Sequence, residues 1–150
     1  MKKQLLFILT LIVSLFISQN IYSTQWVVNT GFPYYLPSSL TVDVGDTVIW
    51  VNDGGNHDVN ADIDTQTGIT FGNPVSFQSP TNNTVGDTIH TQIFTVAGNY
   101  QYDCSVGNHA ASGMTGVIIV IPSPSIDSLI VNNPVCFGES SGNAIINISQ

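Results

Sequence analysis

The stretch NYQYDCSVGNHAASGMTGVIIVI, residues 99–121, decides how this chain is read. It opens as a strand. Successive strand side chains point to opposite faces, so Tyr100, Tyr102 and Cys104 share one face while Gln101 and Asp103 share the other. The aromatic face is predicted to be the core face, which puts the Cys104 sulfur at the inner end of a strand where a loop begins. The stretch closes as a second strand, 116–121. Between them, Gly107 and Gly113 allow the sharp turns a tight loop needs. The chain has two Cys, three His and two Met in all, and one Met is Met1. One of each falls in this loop, as Cys104, His109 and Met114, with four residues in each gap.

Outward from this stretch the chain is rich in Val, Ile, Thr, Tyr and Phe, broken by Gly, Asn and Pro, with no sustained helical period. Such short runs bounded by turn residues predict an all-β Greek-key sandwich or barrel. Strands are expected at 25–29, 40–44, 47–52, 57–60, 88–95, 99–104 and 116–121. Gly45-Asp46 is expected to close a hairpin between the second and third. The polar run 61–84, with Pro74 and Pro80, is expected as an excursion between sheets. VGDTVIW from Val44 and VGDTIHT from Val85 are alike, and are read as two turn-then-strand starts. Pro122-Ser123-Pro124-Ser125 is a linker. Residues 126–150 begin a short, incomplete β module, too small to bury a stable core alone. No finishing strand is expected there, so the chain is read as the front piece of a longer protein.

The N-terminus carries Lys2 and Lys3, then a mostly apolar run from Leu5 to Ile17, then Ile21-Tyr22-Ser23. This pattern predicts a secretory signal over residues 1–23. A membrane helix needs about 20 apolar residues, and Ser18, Gln19 and Asn20 come too early for one. The expected organisation is therefore signal 1–23, main domain 24–121, linker 122–125 and partial module 126–150. The expected location is secreted, periplasmic or at the cell surface. Lys2 and Lys3 are the only basic side chains, so the rest of the chain sets ten acidic groups against none. Nucleic acid is then a poor partner, because nothing neutralises its phosphates. A protein partner steered by charge is expected to be cationic, and no membrane insertion is expected after signal removal.

A second imidazole would complete a coordination shell around Cys104, His109 and Met114. His57 supplies it, in GGNHDV at a chain reversal. One thiolate, two imidazoles and a weak thioether suit a single copper ion cycling between Cu(I) and Cu(II). Zinc is the competitor, but structural zinc prefers four strong N or S ligands and only three are available. The rival reading of Cys104, a disulfide with Cys136, requires a bond between separate modules. His90 lies mid-strand away from the cluster and is read as structural or solvent-facing. Trp26, Trp50, Phe94, Tyr100 and Tyr102 are read as core aromatics.

Two segments, FPYYLPSSLTVDVGDTVIWVNDGGNHDVNAD and HTQIFTVAGNYQYDCSVGNHAASGMTGVIIVI, resemble the plastocyanin/azurin family of cupredoxins. The resemblance covers residues 26–121. It implies a blue copper domain with His57, Cys104, His109 and Met114 as ligands, transferring single electrons without turning over a substrate. It also implies His109 as the exposed ligand through which electrons leave, ringed by Ala110, Ala111 and Gly113. The implied partner is a redox protein, such as a cationic cytochrome. Asp58 stands where relatives often carry Asn, at a position that braces the ligand loop by hydrogen bonds. Copper oxidases and nitrite reductases need further His-rich centres, and this chain has three His. The tail VNNPVCFGESSGNAIINIS resembles the opening of SprB-type repeats of large surface adhesins. The alternative it raises is a copper-binding display module at the front of a longer cell-surface protein.

Overall fold

The computed structural model describes residues 23–132 and 143–149. The expected signal segment and Cys136 both lie outside the described residues. Among the described residues nine strands follow one another: β1 Gln25–Gly31, β2 Tyr34–Leu36, β3 Ser39–Asp43, β4 Thr47–Gly54, β5 Thr88–Ile93, β6 Gly98–Asp103, β7 Thr115–Ile121, β8 Ser125–Asn132 and β9 Asn143–Ser149. Four of them form one sheet in the order β2-β1-β4-β5, and three form a second in the order β3-β7-β6. Among the described residues, strands β8 and β9 pair only with each other. The fold is an all-β Greek-key sandwich. Among the described residues no helix is long and apolar enough to cross a membrane.

The core follows the alternation read from sequence. Val28 of β1, Val48 and Trp50 of β4, Tyr100 and Tyr102 of β6, and Ile118 and Val120 of β7 are buried together with Phe94. Trp50 and Tyr102 meet edge to face at 5.4 Å, and Tyr35 and Tyr102 at 4.8 Å, the arrangement that ring quadrupoles favour. Trp26 is the exception among the expected core aromatics: its ring is partly exposed. It sits at the edge because its indole nitrogen donates to Asp46 at 2.8 Å.

Several local expectations need correction. Gly45-Asp46 does not close a hairpin. Strand β3 pairs with β7 and β4 pairs with β1 and β5, so the turn carries the chain from one sheet to the other. Residues 57–60 form isolated bridges, not a strand, with His57 facing Asn82 and Asn60 facing Asp103. Strand β2 lies between Pro33 and Pro37 and was not expected. Strand β9 supplies the tail strand that was not foreseen. Asp103 is buried although it alternates away from the core face. The segment 61–84 folds over that face, and Asp103 accepts hydrogen bonds from the Thr65 amide at 2.7 Å, the Thr65 hydroxyl at 2.9 Å and the Asn60 amide at 2.8 Å.

The two VGDT segments do behave alike. In each the Asp amide donates back three residues, Asp46 to the Asp43 carbonyl at 3.0 Å and Asp87 to the Thr84 carbonyl at 3.2 Å. Each then feeds a strand, β4 and β5, and those two strands pair antiparallel.

Candidate metal centre

Cys104 follows directly on β6, and the loop after it is wound by its own backbone. The Cys104 amide donates to the Met114 carbonyl at 3.2 Å, which closes the loop at its base. The His109 amide donates to the Val106 carbonyl at 3.1 Å, and the Met114 amide to the His109 carbonyl at 3.0 Å. A short 3-10 turn, Ala110–Ser112, lies between them and ends at Gly113 with φ 100°. A left-handed residue at that point is what reverses the chain, and glycine adopts it without steric cost. His109 and Met114 are thus pinned relative to Cys104 by main-chain bonds alone.

His57 arrives from the other sheet. Strand β4 ends in Gly54, and Gly55 turns the chain back with φ 98°. The His57 ring nitrogen Nε2 lies 2.8 Å from the Gly54 carbonyl. A carbonyl only accepts, so Nε2 carries the proton and Nδ1 presents a lone pair. The His57 backbone pairs both ways with Asn82, at 3.0 and 2.8 Å. Buried Asn52 ties the reversal together: its side-chain amide donates to the Gly55 and Asn82 carbonyls, both at 3.0 Å, and its oxygen accepts from the Gly54 amide at 2.8 Å.

These supports bring three donor atoms to one point. Cys104 Sγ lies 3.3 Å from His109 Nδ1 and 3.8 Å from His57 Nδ1. All three donor atoms fall within 4.8 Å of one another. Donors about 2.0–2.3 Å from one ion in a trigonal plane stand about 3.6 Å apart, so the spacing fits a shared ion. His57, Cys104 and Met114 are fully buried, and His109 is partly exposed. Met114 lies in the same buried cluster as Cys104. His90 is elsewhere, stacked on Phe77 at 5.1 Å and 10°.

Asp58 links the two halves of the site without being a donor to it. Its carboxylate accepts from the Ser105 amide at 2.7 Å and, in a short bond, from the Ser105 hydroxyl. Its backbone carbonyl accepts from the Tyr35 hydroxyl at 2.6 Å. One residue after His57 is thereby locked to the residue after Cys104. Sequence reading found Asp58 and the Gly54-Gly55 interruption but not Asn52, Tyr35 or Phe32. The Phe32 ring lies 4.9 Å from that of His109 and is itself exposed. The Gly54-Gly55 pair was the one local signal for the reversal.

The electrostatics leave the thiol neutral until a cation binds. Burial pushes the Cys104 thiol up to about 11, although the backbone N–H groups of Asp58 and Val106 act in the opposite direction. A thiolate at neutral pH therefore depends on a bound positive charge. Burial and the neighbouring His57 hold His109 below the usual histidine range, which keeps its lone pair available. The donor set is one sulfur and two neutral nitrogens, and the nearby carboxylate is occupied by Ser105. That chemistry suits a soft or borderline ion and not calcium or magnesium, which take oxygen ligands.

The match to a known family agrees. Residues 23–121 match the family described as copper binding proteins, plastocyanin/azurin family. No curated protein matches the chain. Among solved structures, an oxidized amicyanin mutant is 25% identical, with a TM-score of 0.47 over 64% of this chain and 81% of that one. A copper-containing nitrite reductase from Thermus scotoductus SA-01 is also 25% identical, with a TM-score of 0.52 over 67% of this chain and 23% of that one. The latter likeness is one of fold and reaches only part of the reductase.

Proposed function

Since this chain belongs to the plastocyanin/azurin family of copper-binding proteins, whose match spans residues 23–121, we propose that it is a one-electron carrier with a single type 1 copper centre. The ligands are His57, Cys104, His109 and Met114. The observation that carries the reading is the meeting of Cys104 Sγ with the Nδ1 atoms of two histidines whose loops follow strands of different sheets. Bound copper supplies a one-electron change between Cu(I) and Cu(II). The chain supplies the rest. Cys104 and His57 hold their places through the Asp58–Ser105 and His57–Gly54 bonds, so no ligand has to move when the charge changes.

His109 is the one ligand ring that reaches the surface, and it serves as the electron port. Exposed Phe32 and small Ala111 and Gly113 flank it, so a partner can approach closely. With no Lys or Arg after Lys3, the partner is a cationic redox protein such as a cytochrome. The domain carries electrons and turns over no substrate of its own. It works outside the cytoplasm after removal of residues 1–23.

A second reading rests on β8 and β9, which pair apart from the sandwich and expose Ile126, Leu129, Ile146 and Ile148. Two strands alone do not make an independent core. Residues 126–150 then begin a SprB-type repeat, and the copper domain is the first module of a displayed surface protein. Many further repeats encoded beyond Gln150 favour display; an early stop favours a free carrier.

The test of the copper assignment is optical. Addition of Cu(II) to the full chain gives an intense blue thiolate-to-copper absorption. Cys104→Ser abolishes it, and Met114→Gln keeps it with a lower reduction potential. Blue colour that survives loss of Cys104 refutes the ligand assignment.

A further inference from the structure

An open groove of about 640 Å³ lies against the outer face of the β3-β7-β6 sheet. It falls within the range of about 300–1,000 Å³ usual for small-ligand sites, and it has no part in holding the metal. Its floor is built by strand register. Ser39 and Gln101 both pair with Val117, and Asp103 pairs with Thr115 in the neighbouring row. Asn99 extends the floor along β6. Asp64, Gln66 and Phe71, from the excursion 61–84, form the facing wall.

The wall is fixed to the floor. Thr65 is held by both oxygens of Asp103. The Asn73 side chain grips the backbone of Gln101 from both sides, donating to its carbonyl at 2.7 Å and accepting from its amide at 2.8 Å. A cavity with a pre-set shape loses little entropy when it takes a ligand.

The lining selects the ligand class. Ser39, Thr115, Asn99, Gln101 and Gln66 each offer both a donor and an acceptor. Every hydroxyl of a sugar is likewise both donor and acceptor, so such a surface matches a polyol. Phe71 is partly buried and gives an aromatic face, on which the C–H face of a pyranose ring packs. Asp64 and Asp103 are the only charged groups in the lining, and both are acidic. No Lys or Arg follows Lys3 and no His lines the groove, so phosphates, sulfates and uronates meet repulsion without any compensating contact. Gln66 also lines an adjoining cavity of about 320 Å³ that reaches Ala110 and Ala111 beside His109, so the groove runs toward the metal loop.

We propose that this groove binds a neutral oligosaccharide. The test is calorimetric titration of the full copper-loaded chain with cello-, xylo-, malto- and chito-oligosaccharides, and with oligogalacturonate as the anionic comparison. At least one neutral series binds at millimolar affinity or tighter, and oligogalacturonate binds far more weakly. Phe71→Ala and Gln101→Ala each weaken binding about tenfold or more, while the blue absorption is unchanged. Gln101 is exposed on the outer face, so Q101A decides the matter if F71A does not fold. Absence of binding by every neutral series, binding untouched by both substitutions, or equal binding of oligogalacturonate overturns the proposal.

Discussion

Gly55→Ala separates backbone strain from damage to the metal site. Gly55 has φ 98°, a region that costs an L-residue roughly 1–2 kcal/mol. An added Cβ meets His57 Nε2 at 2.6 Å, Cε1 at 3.3 Å and Cδ2 at 3.4 Å. The first separation is below any real contact, so the His57 ring must move. The group it meets is the one bonded to the Gly54 carbonyl at 2.8 Å, and the ring loses the bond that aims Nδ1 at the shared point. Loss of such an outer hydrogen bond costs about 10–100-fold in metal affinity, or about 1.4–2.8 kcal/mol. Gly86→Ala is the control. Gly86 has φ 84° with nothing within 4 Å of an added Cβ, so it carries comparable strain and no collision. Copper affinity is measured by competition with a chelator, and stability by thermal unfolding of the copper-free chain. Both variants lose stability, and only Gly55→Ala loses copper affinity. Equal copper affinity in the two variants refutes the claim that Gly55 is required by the His57 ring.

Asp58→Asn replaces an acceptor-only group facing two Ser105 donors and removes a buried negative charge beside the site; protein-film voltammetry will show the reduction potential rising by tens of millivolts. Tyr35→Phe leaves the buried Asp58 carbonyl without the hydroxyl that now reaches it at 2.6 Å, and urea unfolding will show a loss of about 1–3 kcal/mol. Burial alone pushes the Asp46 carboxyl up, but donation from the Trp26 indole and the Thr24 and Asp43 amides outweighs it and holds the group below the usual carboxylate range. Its contribution is therefore present above about pH 4 and is lost as pH falls through the lowered pKa; Asp46→Asn flattens that part of the urea stability profile, and an unchanged acid limb contradicts the role.

The parts of this molecule that sequence made legible are those decided by neighbours in the chain. Alternation placed Tyr100, Tyr102 and Cys104 on the buried face, and the four-residue gaps placed His109 and Met114 in one loop. What stayed hidden was decided by distant residues. Asp103 is buried because Thr65 and Asn60, some 40 positions earlier, cover a face that alternation alone sends to solvent. Gly45-Asp46 has the chemistry of a turn, but turn chemistry does not say whether the next strand joins the same sheet. Strand β2 is three residues between two prolines, too short to show a period. The bracing of His57 by Asn52 depends on a reversal in which residues 52, 55 and 82 meet, and nothing in their spacing announces it.

The central claim is that Cys104 and two histidines, in loops that follow strands of separate sheets, share one copper ion. X-ray absorption of the Cu(II)-loaded full chain tests it most directly, because sulfur and nitrogen scatter distinguishably. The account predicts one short copper–sulfur path and two copper–nitrogen paths in the wild type, with the short sulfur path absent in Cys104→Ser. A copper shell made only of nitrogen and oxygen in the wild type contradicts it.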